Sequence, residues 1–265
     1  MANITRSSKA GSDWTPNELL AYNIRVVYQD YETFFKLSER FPPDVRHKEV
    51  LTLQDPSEAA HDDTYVLLRT MALAMNPRHG QESAVADYAV VLFKCLQYIG
   101  DLTALVPRTR MSIPFWVCGQ EKLATADVCL VDDTNDPGVL VQEDKQHMDR
   151  PNSEPQLIAS AIAALSNINE TRLRTLGRDT IASKLIPGIT MKGTMPVFYK
   201  IPVTSDLVRA VQLGEYPAQE TVVYAHLPPV PRPARRYSEG MAPLDNRKIV
   251  ISCYGAFRRF LFGLT

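Results

Sequence analysis

Three short β-like runs follow one another in the middle of the chain and limit its possible folds more than any other feature. They read IPFWVCGQ, ATADVCLVDD and PGVLVQEDK, and residues that favour turns separate them. A helix-like segment, SEPQLIASAIAALSNINETRLRTL, comes next, followed by two further strand-like runs, LIPGITMKG and TMPVFYKIPV. Strands that alternate with helices in this way predict an α/β domain in which helices cover a sheet.

The amino-terminal part has a helical pattern. The segment TPNELLAYNIRVVYQDYETFFKL predicts one helix, with Thr15 as its N-cap and Pro16 at its first position. The segment QESAVADYAVVLFKCLQYIGDL predicts the strongest helix of this half. Residues 1–12 are small and polar, which favours disorder. No long polar linker interrupts the remainder, so residues 13–265 are predicted to form a single domain.

Composition excludes some classes of protein. The formal net charge is −1, which argues against a general polyanion binder. The four cysteines are far apart and lie mostly in apolar stretches, which predicts buried free thiols. The amino terminus lacks an apolar signal core, and no apolar run reaches the roughly 18 residues of a membrane span. We therefore expect an intracellular protein, cytoplasmic or nuclear, without a membrane partner.

Two acids and a lysine come together if the second and third β-like runs form a hairpin. A turn centred near residue 135 would place Asp127 opposite Glu143, and opposed residues point to the same face of a sheet. Side chains alternate along a strand, so Lys145 would share that face and Asp144 would not. Facing carboxylates repel unless one is protonated or a cation lies between them. A one-residue change in the turn would break this pairing.

The dipeptide AD at 126–127 and the tripeptide EDK at 143–145, within this order of helices and strands, resemble the PD-(D/E)XK nuclease superfamily. The resemblance covers about residues 82–203, with Ala126 in place of the motif's proline. It implies a restriction-endonuclease-like αβββαβ core with a mixed central sheet, extended by amino-terminal and carboxy-terminal helices. The segments EDKQHMDRPNSEPQLIA and GITMKGTMPVFYKIPVT also resemble uncharacterised fungal proteins, which imply no activity.

The same resemblance implies a site for Mg²⁺ or Mn²⁺. It makes Asp127 and Glu143 metal ligands, adds the backbone carbonyl of Asp144, and gives Lys145 the task of serving the catalytic water. The implied activity is a metal-dependent phosphodiesterase acting on DNA or RNA. Two alternatives stay open: an ion pair of Glu143 and Lys145 at a strand end, and a catalytically inactive nuclease fold that serves as a binding module.

Two further residues are candidates for this site. The resemblance implies an additional acid on the first core helix, for which Glu82 is the candidate. It also implies a polar residue on the helix after the motif, which Gln156 fits. Each has a structural alternative. Glu82 would be favoured by the dipole at a helix start, and Ser153 with Gln156 matches the S-x-x-Q capping box.

A basic cluster lies near the carboxy terminus. Its members are Arg232, Arg235, Arg236, Arg247 and Lys248. Such a cluster either contacts phosphates or forms solvated surface.

Overall fold

The computed structural model describes residues 5–77, 83–100, 103–134, 136–143 and 153–262, and it confirms an α/β fold. The strands are β1 (Ile24–Tyr28), β2 (Val106–Val117), β3 (Gln120–Val131), β4 (Pro137–Glu143), β5 (Ser183–Lys192), β6 (Met195–Thr204) and β7 (Thr221–His226). The helices are α1 (Pro16–Ala21), α2 (Tyr31–Phe35), α3 (Asp62–Met75), α4 (Ala84–Cys95), α5 (Ser153–Arg174), α6 (Ser205–Leu213), α7 (Arg236–Glu239) and α8 (Leu244–Phe262).

The strands form one seven-stranded sheet within the described residues, in the order β1-β7-β6-β5-β4-β3-β2. β1 pairs with β7 in parallel, and β3 pairs with β4 in antiparallel fashion, so the sheet is mixed as expected. Along the chain, α4, β2, β3, β4, α5 and β5 follow one another. This is the αβββαβ order that the resemblance implies, with helices before and after it.

The single helix predicted over residues 15–37 is wrong. Thr15 does cap α1, in a capping box with Glu18, and Pro16 occupies the first position. The helix ends at Ala21, however, and Asn23 takes a left-handed conformation with φ of 53°. The following residues, IRVVY, form β1 and pair with β7. The β-branched side chains in this run fit a pleated strand better than a helix, and the partner strand lies almost 200 residues away.

The chain divides into two compact units, each made of several segments. The first contains Met1–Tyr28, Arg108–Thr190 and Tyr199–Ala225, and the second contains Gln29–Pro107, Met191–Phe198 and His226–Thr265. In the described part of the chain, every helix is too short or too polar to span a lipid bilayer. The four cysteines are free thiols, as predicted, and all except Cys118 are buried.

In the first unit, α5 packs against β3 and β4. A short 3₁₀ helix, Gly11–Asp13, packs against α5 and β3. Gly11 lies so close to β3 that a Cβ there would come within 2.8 Å of the Ala124 Cα. Trp14 is fully buried and stacks on Tyr22 with ring centroids 5.5 Å apart. Gly11 and Trp14 therefore contribute to this core, although Gly11 belongs to the segment 1–12 whose composition favours disorder.

The second unit has an aromatic core of its own. His226 stacks on Phe34 with ring centroids 5.5 Å apart, and its Nδ1 lies 3.0 Å from the carbonyl oxygen of Gln29. Burial lowers the pKa of His226, which favours the neutral ring. Tyr98 donates a hydrogen bond of 2.6 Å to the carbonyl oxygen of Tyr254. Cys253 Sγ of α8 lies 3.7 Å from His226 Nε2, so α2, α8 and the end of β7 belong to one buried cluster.

Candidate functional site

The hairpin of β3 and β4 is closed by a turn built around Asp132. Its Oδ1 accepts hydrogen bonds from the backbone N–H of Thr134 at 3.0 Å and of Asp136 at 2.9 Å. The Asp132 N–H donates in turn to the carbonyl oxygen of Asp136 at 3.2 Å. A side chain that binds backbone groups two and four residues ahead is typical of turns. Asp132 therefore caps the turn between β3 and β4.

The register of this hairpin differs by one residue from the predicted one. Val128 pairs with Val141, which places Gln142, and not Glu143, opposite Asp127. The physical reason lies in the turn and in an irregularity beside it. Asp132 centres the turn on residue 134 rather than 135, and the register then shifts between Leu130 and Val131. A turn centred on residue 134 would by itself place Val141 opposite Asp127, and the extra residue at this bulge moves the pairing to Gln142. The predicted pairing of Asp127 with Glu143 is therefore wrong by one residue.

The register also decides which face each side chain occupies. Ala124 points towards α5, since a Cβ on Gly11 would meet both Ala124 and Ala159 of α5. Alternation along β3 then directs Asp127 to the opposite face. Gln142 shares that face with Asp127, whereas the next residue, Glu143, points to the face covered by α5. The two acids are neighbours along the hairpin, but their side chains leave the sheet in opposite directions.

The Asp127 carboxylate is bound to the end of β4. Its Oδ2 accepts a hydrogen bond of 2.6 Å from Gln142 Nε2 and one of 2.8 Å from the backbone N–H of Glu143. Amide donors to a carboxylate form charge-assisted hydrogen bonds, which fix the orientation of the group. Glu143 therefore contributes its backbone to the surroundings of Asp127.

Gln142 was not a candidate in the sequence, and it is the side chain that the structure places beside Asp127. It is 6% exposed, and its Oε1 is buried without a hydrogen-bond partner among the described residues. Buried amide oxygens nearly always have a donor, a water or an ion. The turn motif of Asp132 would by itself pair Asp127 with Val141, and only the irregularity between Leu130 and Val131 brings Gln142 opposite it, so the turn motif alone does not identify Gln142.

A second carboxylate, Glu154, lies on the α5 face of the sheet. Its Oε2 accepts hydrogen bonds from the phenol of Tyr199 at 3.1 Å and from that of Tyr28 at 3.2 Å. Burial raises the pKa of Glu154, and the two phenols oppose that effect. Burial also raises the pKa of Tyr199, which keeps its hydroxyl a donor. The first turn of α5 is thereby tied to β1 and β6. Sequence reasoning missed this group, because its tyrosines come from distant strands.

Gln156 lies in the first turns of α5 and binds the amino-terminal segment. Its Nε2 donates a hydrogen bond of 2.9 Å to the carbonyl oxygen of Ser12. Gln156 follows Glu154 on α5, the helix on the face opposite Asp127. Three other candidates, Glu82, Asp144 and Lys145, lie outside the described residues.

The basic cluster of the second unit is largely engaged in its own contacts. Arg232 forms ion pairs with Glu239 at 2.6 Å and with Asp245 at 2.7 Å, and Arg235 reaches Glu239 at 3.6 Å. Arg247 is 1% exposed and donates to backbone carbonyl oxygens within its unit. Arg247 therefore lies in the core, and it belongs neither to a phosphate-binding surface nor to a solvated one.

The side chains beside Asp127 suit a hard divalent cation. A carboxylate and an amide carbonyl supply the kind of oxygen that Mg²⁺, Mn²⁺ and Ca²⁺ bind, and Gln142 Oε1 is a buried acceptor that no donor from the described residues reaches. Within the described ranges, no three His, Cys, Asp or Glu side chains form a metal-binding group. The donor set that fits a cation here is thus one acid and one amide.

Comparison with known proteins leaves the family open. No protein-family model matches the chain, and no curated protein is similar to it at a significant level.

Proposed function

We propose that this chain is a Mg²⁺-dependent phosphodiesterase that acts on DNA or RNA. The observation that carries the proposal is the Asp127 carboxylate, oriented by two N–H donors at the end of β4 beside a buried amide oxygen. The αβββαβ order of the elements supports it, because that order accompanies this motif in the superfamily that the sequence resembles. A likeness of fold alone would not argue for an activity.

The proposed roles follow from position. A bound divalent cation supplies positive charge next to the phosphodiester. Asp127 holds that cation, and the N–H groups of Gln142 and Glu143 keep its carboxylate in one orientation. The described part of β4 ends at Glu143, so the alternation that places Glu143 on the α5 face does not fix the face of Lys145. We propose for Lys145 the role that the resemblance implies, orienting the attacking water and stabilising charge on phosphoryl oxygens. The backbone carbonyl of Asp144 and the carboxylate of Glu82 remain proposed additional ligands.

Cleavage assays test this proposal. Full-length protein with Mg²⁺ or Mn²⁺ is incubated with single-stranded DNA, duplex DNA and RNA, and the assay is repeated with chelator. We expect cleavage that needs the cation and that Asp127→Asn and Lys145→Ala abolish. Arg174→Ala is a control, since this exposed arginine pairs only with Glu170 on its own helix among the described residues. Absence of cleavage for every substrate, or equal cleavage by all variants, would contradict the enzyme.

A second candidate function is a nuclease-like fold that binds a partner without catalysis. The register favours it, because strand alternation places the Glu143 side chain on the face opposite Asp127, so the two acids do not share a face of the sheet. Titration calorimetry separates the two candidates. Heat of binding with Mn²⁺ that disappears in Asp127→Asn supports the enzyme, whereas wild-type protein that binds neither Mg²⁺ nor Mn²⁺ supports the binding module.

A further inference from the structure

We infer that Gln142 is the second protein ligand of the Asp127 cation site, through its side-chain oxygen Oε1. This inference rests on the proposed function and deepens it. It assigns to an amide the position that the motif reserves for a second acid, and the ligand is a divalent cation such as Mg²⁺ or Mn²⁺.

The hydrogen bond to Asp127 fixes the orientation of the Gln142 amide. A carboxylate oxygen can only accept, so the NH₂ group must face Asp127 Oδ2, from which it lies 2.6 Å away. The carbonyl oxygen of Gln142, Oε1, is therefore the end of the amide that does not bind Asp127 Oδ2. In the described part of the chain, Gln142 Oε1 is buried and receives no hydrogen bond.

Burial of Gln142 makes the unpartnered oxygen informative. The residue is 6% exposed and stands in a strand whose neighbours Val139, Leu140 and Val141 are apolar and buried. A leucine or valine would fill such a position without leaving an acceptor unpaired. Divalent cations bind amide carbonyl oxygens as well as carboxylates, so a cation beside Asp127 would satisfy this acceptor.

The register gives this position to Gln142 rather than to Glu143. Gln142 lies opposite Asp127 and shares its face, and the side chain of Glu143 begins on the other face. A shared face is what lets two side chains bind one ion. The Asp127–Gln142 pair meets that condition within the described residues.

Calorimetric titration of the full chain with MnCl₂ tests the assignment. Four variants are compared with wild type: Gln142→Leu, Gln142→Glu, Asp127→Asn and, as a matched control, Gln120→Leu at the exposed start of β3. We expect Gln142→Leu to weaken Mn²⁺ binding at least tenfold and Gln120→Leu to leave it unchanged. Gln142→Glu should bind at least as tightly as wild type.

Thermal melting gives a second readout that does not depend on activity. The carboxylate introduced by Gln142→Glu would face Asp127, so the cation-free variant should melt below wild type. Mn²⁺ should then raise its melting temperature by more than it raises that of wild type. Melting of Gln142→Glu that Mn²⁺ does not restore would mean that Gln142 only orients Asp127, and the inference would be overturned.

The outcomes separate this inference from the proposed function. If Mn²⁺ binding is lost in Asp127→Asn but unchanged in Gln142→Leu, the cation site stands and Gln142 is not its ligand. If wild type binds no Mn²⁺, both ideas fail together. Loss in Asp127→Asn and in Gln142→Leu, with binding retained in Gln142→Glu, supports both.

Discussion

Two carboxylates of the same unit, Asp127 and Glu154, lie on opposite faces of the sheet in contrasting surroundings. Asp127 Oδ2 meets two amide N–H donors from the adjacent strand, next to an amide oxygen that has no partner in the described part of the chain. Glu154 Oε2 meets two phenol donors that come from β1 and β6. The first arrangement contains an unsatisfied buried acceptor, whereas the second joins three elements through one oxygen atom.

This difference separates a proposed site from a structural contact. Burial raises the pKa of Glu154, as it does in many active sites, so a perturbed pKa would single out this residue first. Its phenol partners, however, explain the carboxyl as a link between α5 and two strands. Asp127 stands beside the buried Gln142 Oε1, which has no partner among the described residues. The buried oxygen of Gln142, unpaired within the described ranges, therefore indicates a ligand-binding site better than the raised pKa of Glu154 does.

The largest effect is expected from Asp127→Asn, as a loss of catalytic activity. Asparagine keeps an oxygen that accepts from Gln142 and from the Glu143 N–H, but it removes the negative charge that would hold a cation. We expect activity to fall about a thousandfold, equivalent to about 4 kcal/mol of transition-state stabilisation, with stability changed by about 1 kcal/mol or less. Cleavage kinetics and urea unfolding of the same preparation measure the two quantities.

Glu143→Gln is the control for that result. The backbone N–H that binds Asp127 is unchanged in this variant, and the side chain lies on the other face. We expect a much smaller loss of activity than in Asp127→Asn. Equal losses would mean that both acids bind one cation, as the sequence motif implies, and the register argument would have to be abandoned.

The next effect concerns stability at the Glu154 link. Tyr199 is 2% exposed and Tyr28 is 56% exposed, yet both donate to Glu154 Oε2. Tyr199→Phe removes a buried donor to a carboxyl, which should cost about 1–3 kcal/mol of unfolding free energy. Tyr28→Phe alters an exposed contact and should cost about 0.5 kcal/mol or less. Urea unfolding gives both values, and similar losses would contradict the structural role assigned to the buried phenol.

A smaller effect is expected in the pH dependence of stability. The pKa of Glu154 in the folded chain lies above its ordinary value of 4.5, so the folded state favours the protonated form. The corresponding stabilisation is present below pH 4.5 and is lost as the pH rises through the folded pKa. Glu154→Gln keeps an acceptor for both phenols but cannot ionise. Its stability relative to wild type should therefore increase as the pH rises above 4.5.

Unfolding free energies measured at several pH values test this expectation. Asp30 is the exposed N-cap residue of the short helix α2, and its pKa is lowered whereas that of Glu154 is raised, so Asp30→Asn provides a matched control. A constant difference between wild type and Glu154→Gln across the pH range would show that ionisation of Glu154 is not linked to folding.

The sequence predicted the fold class well, because strand and helix patterns of the central region are local. The runs that became β2 to β6 show short apolar stretches between turn residues, and the α5 segment is long and apolar on its buried side. The pattern failed where a distant partner decided the outcome. The run IRVVY reads as part of a helix until β7, from the other end of the chain, pairs with it.

The candidate site was less predictable than the fold, since it depends on register. Asp127 and Glu143 could be found from their spacing, but whether they face each other depends on a one-residue difference in the register of the hairpin. That register is set by the three hydrogen bonds that the Asp132 side chain accepts and by the shift between Leu130 and Val131. A turn motif can be recognised in a sequence, whereas a bulge next to it depends on packing of both strands.

The smallest expected effect comes from Gln156, which tests whether α5 contributes to the proposed site at all. Its amide binds the Ser12 carbonyl oxygen at the surface, so Gln156→Leu should lower the unfolding free energy by about 0.5 kcal/mol. Any loss of cleavage should then be no larger than this loss of stability explains. Gln212→Leu, in the half-exposed last turn of α6, is the matched control for adding an apolar side chain to a helix surface.

A tenfold loss of cleavage in Gln156→Leu, at unchanged stability, would instead place Gln156 in the catalytic machinery. The active face would then be the one that Glu143 and Glu154 share, and not the face of Asp127.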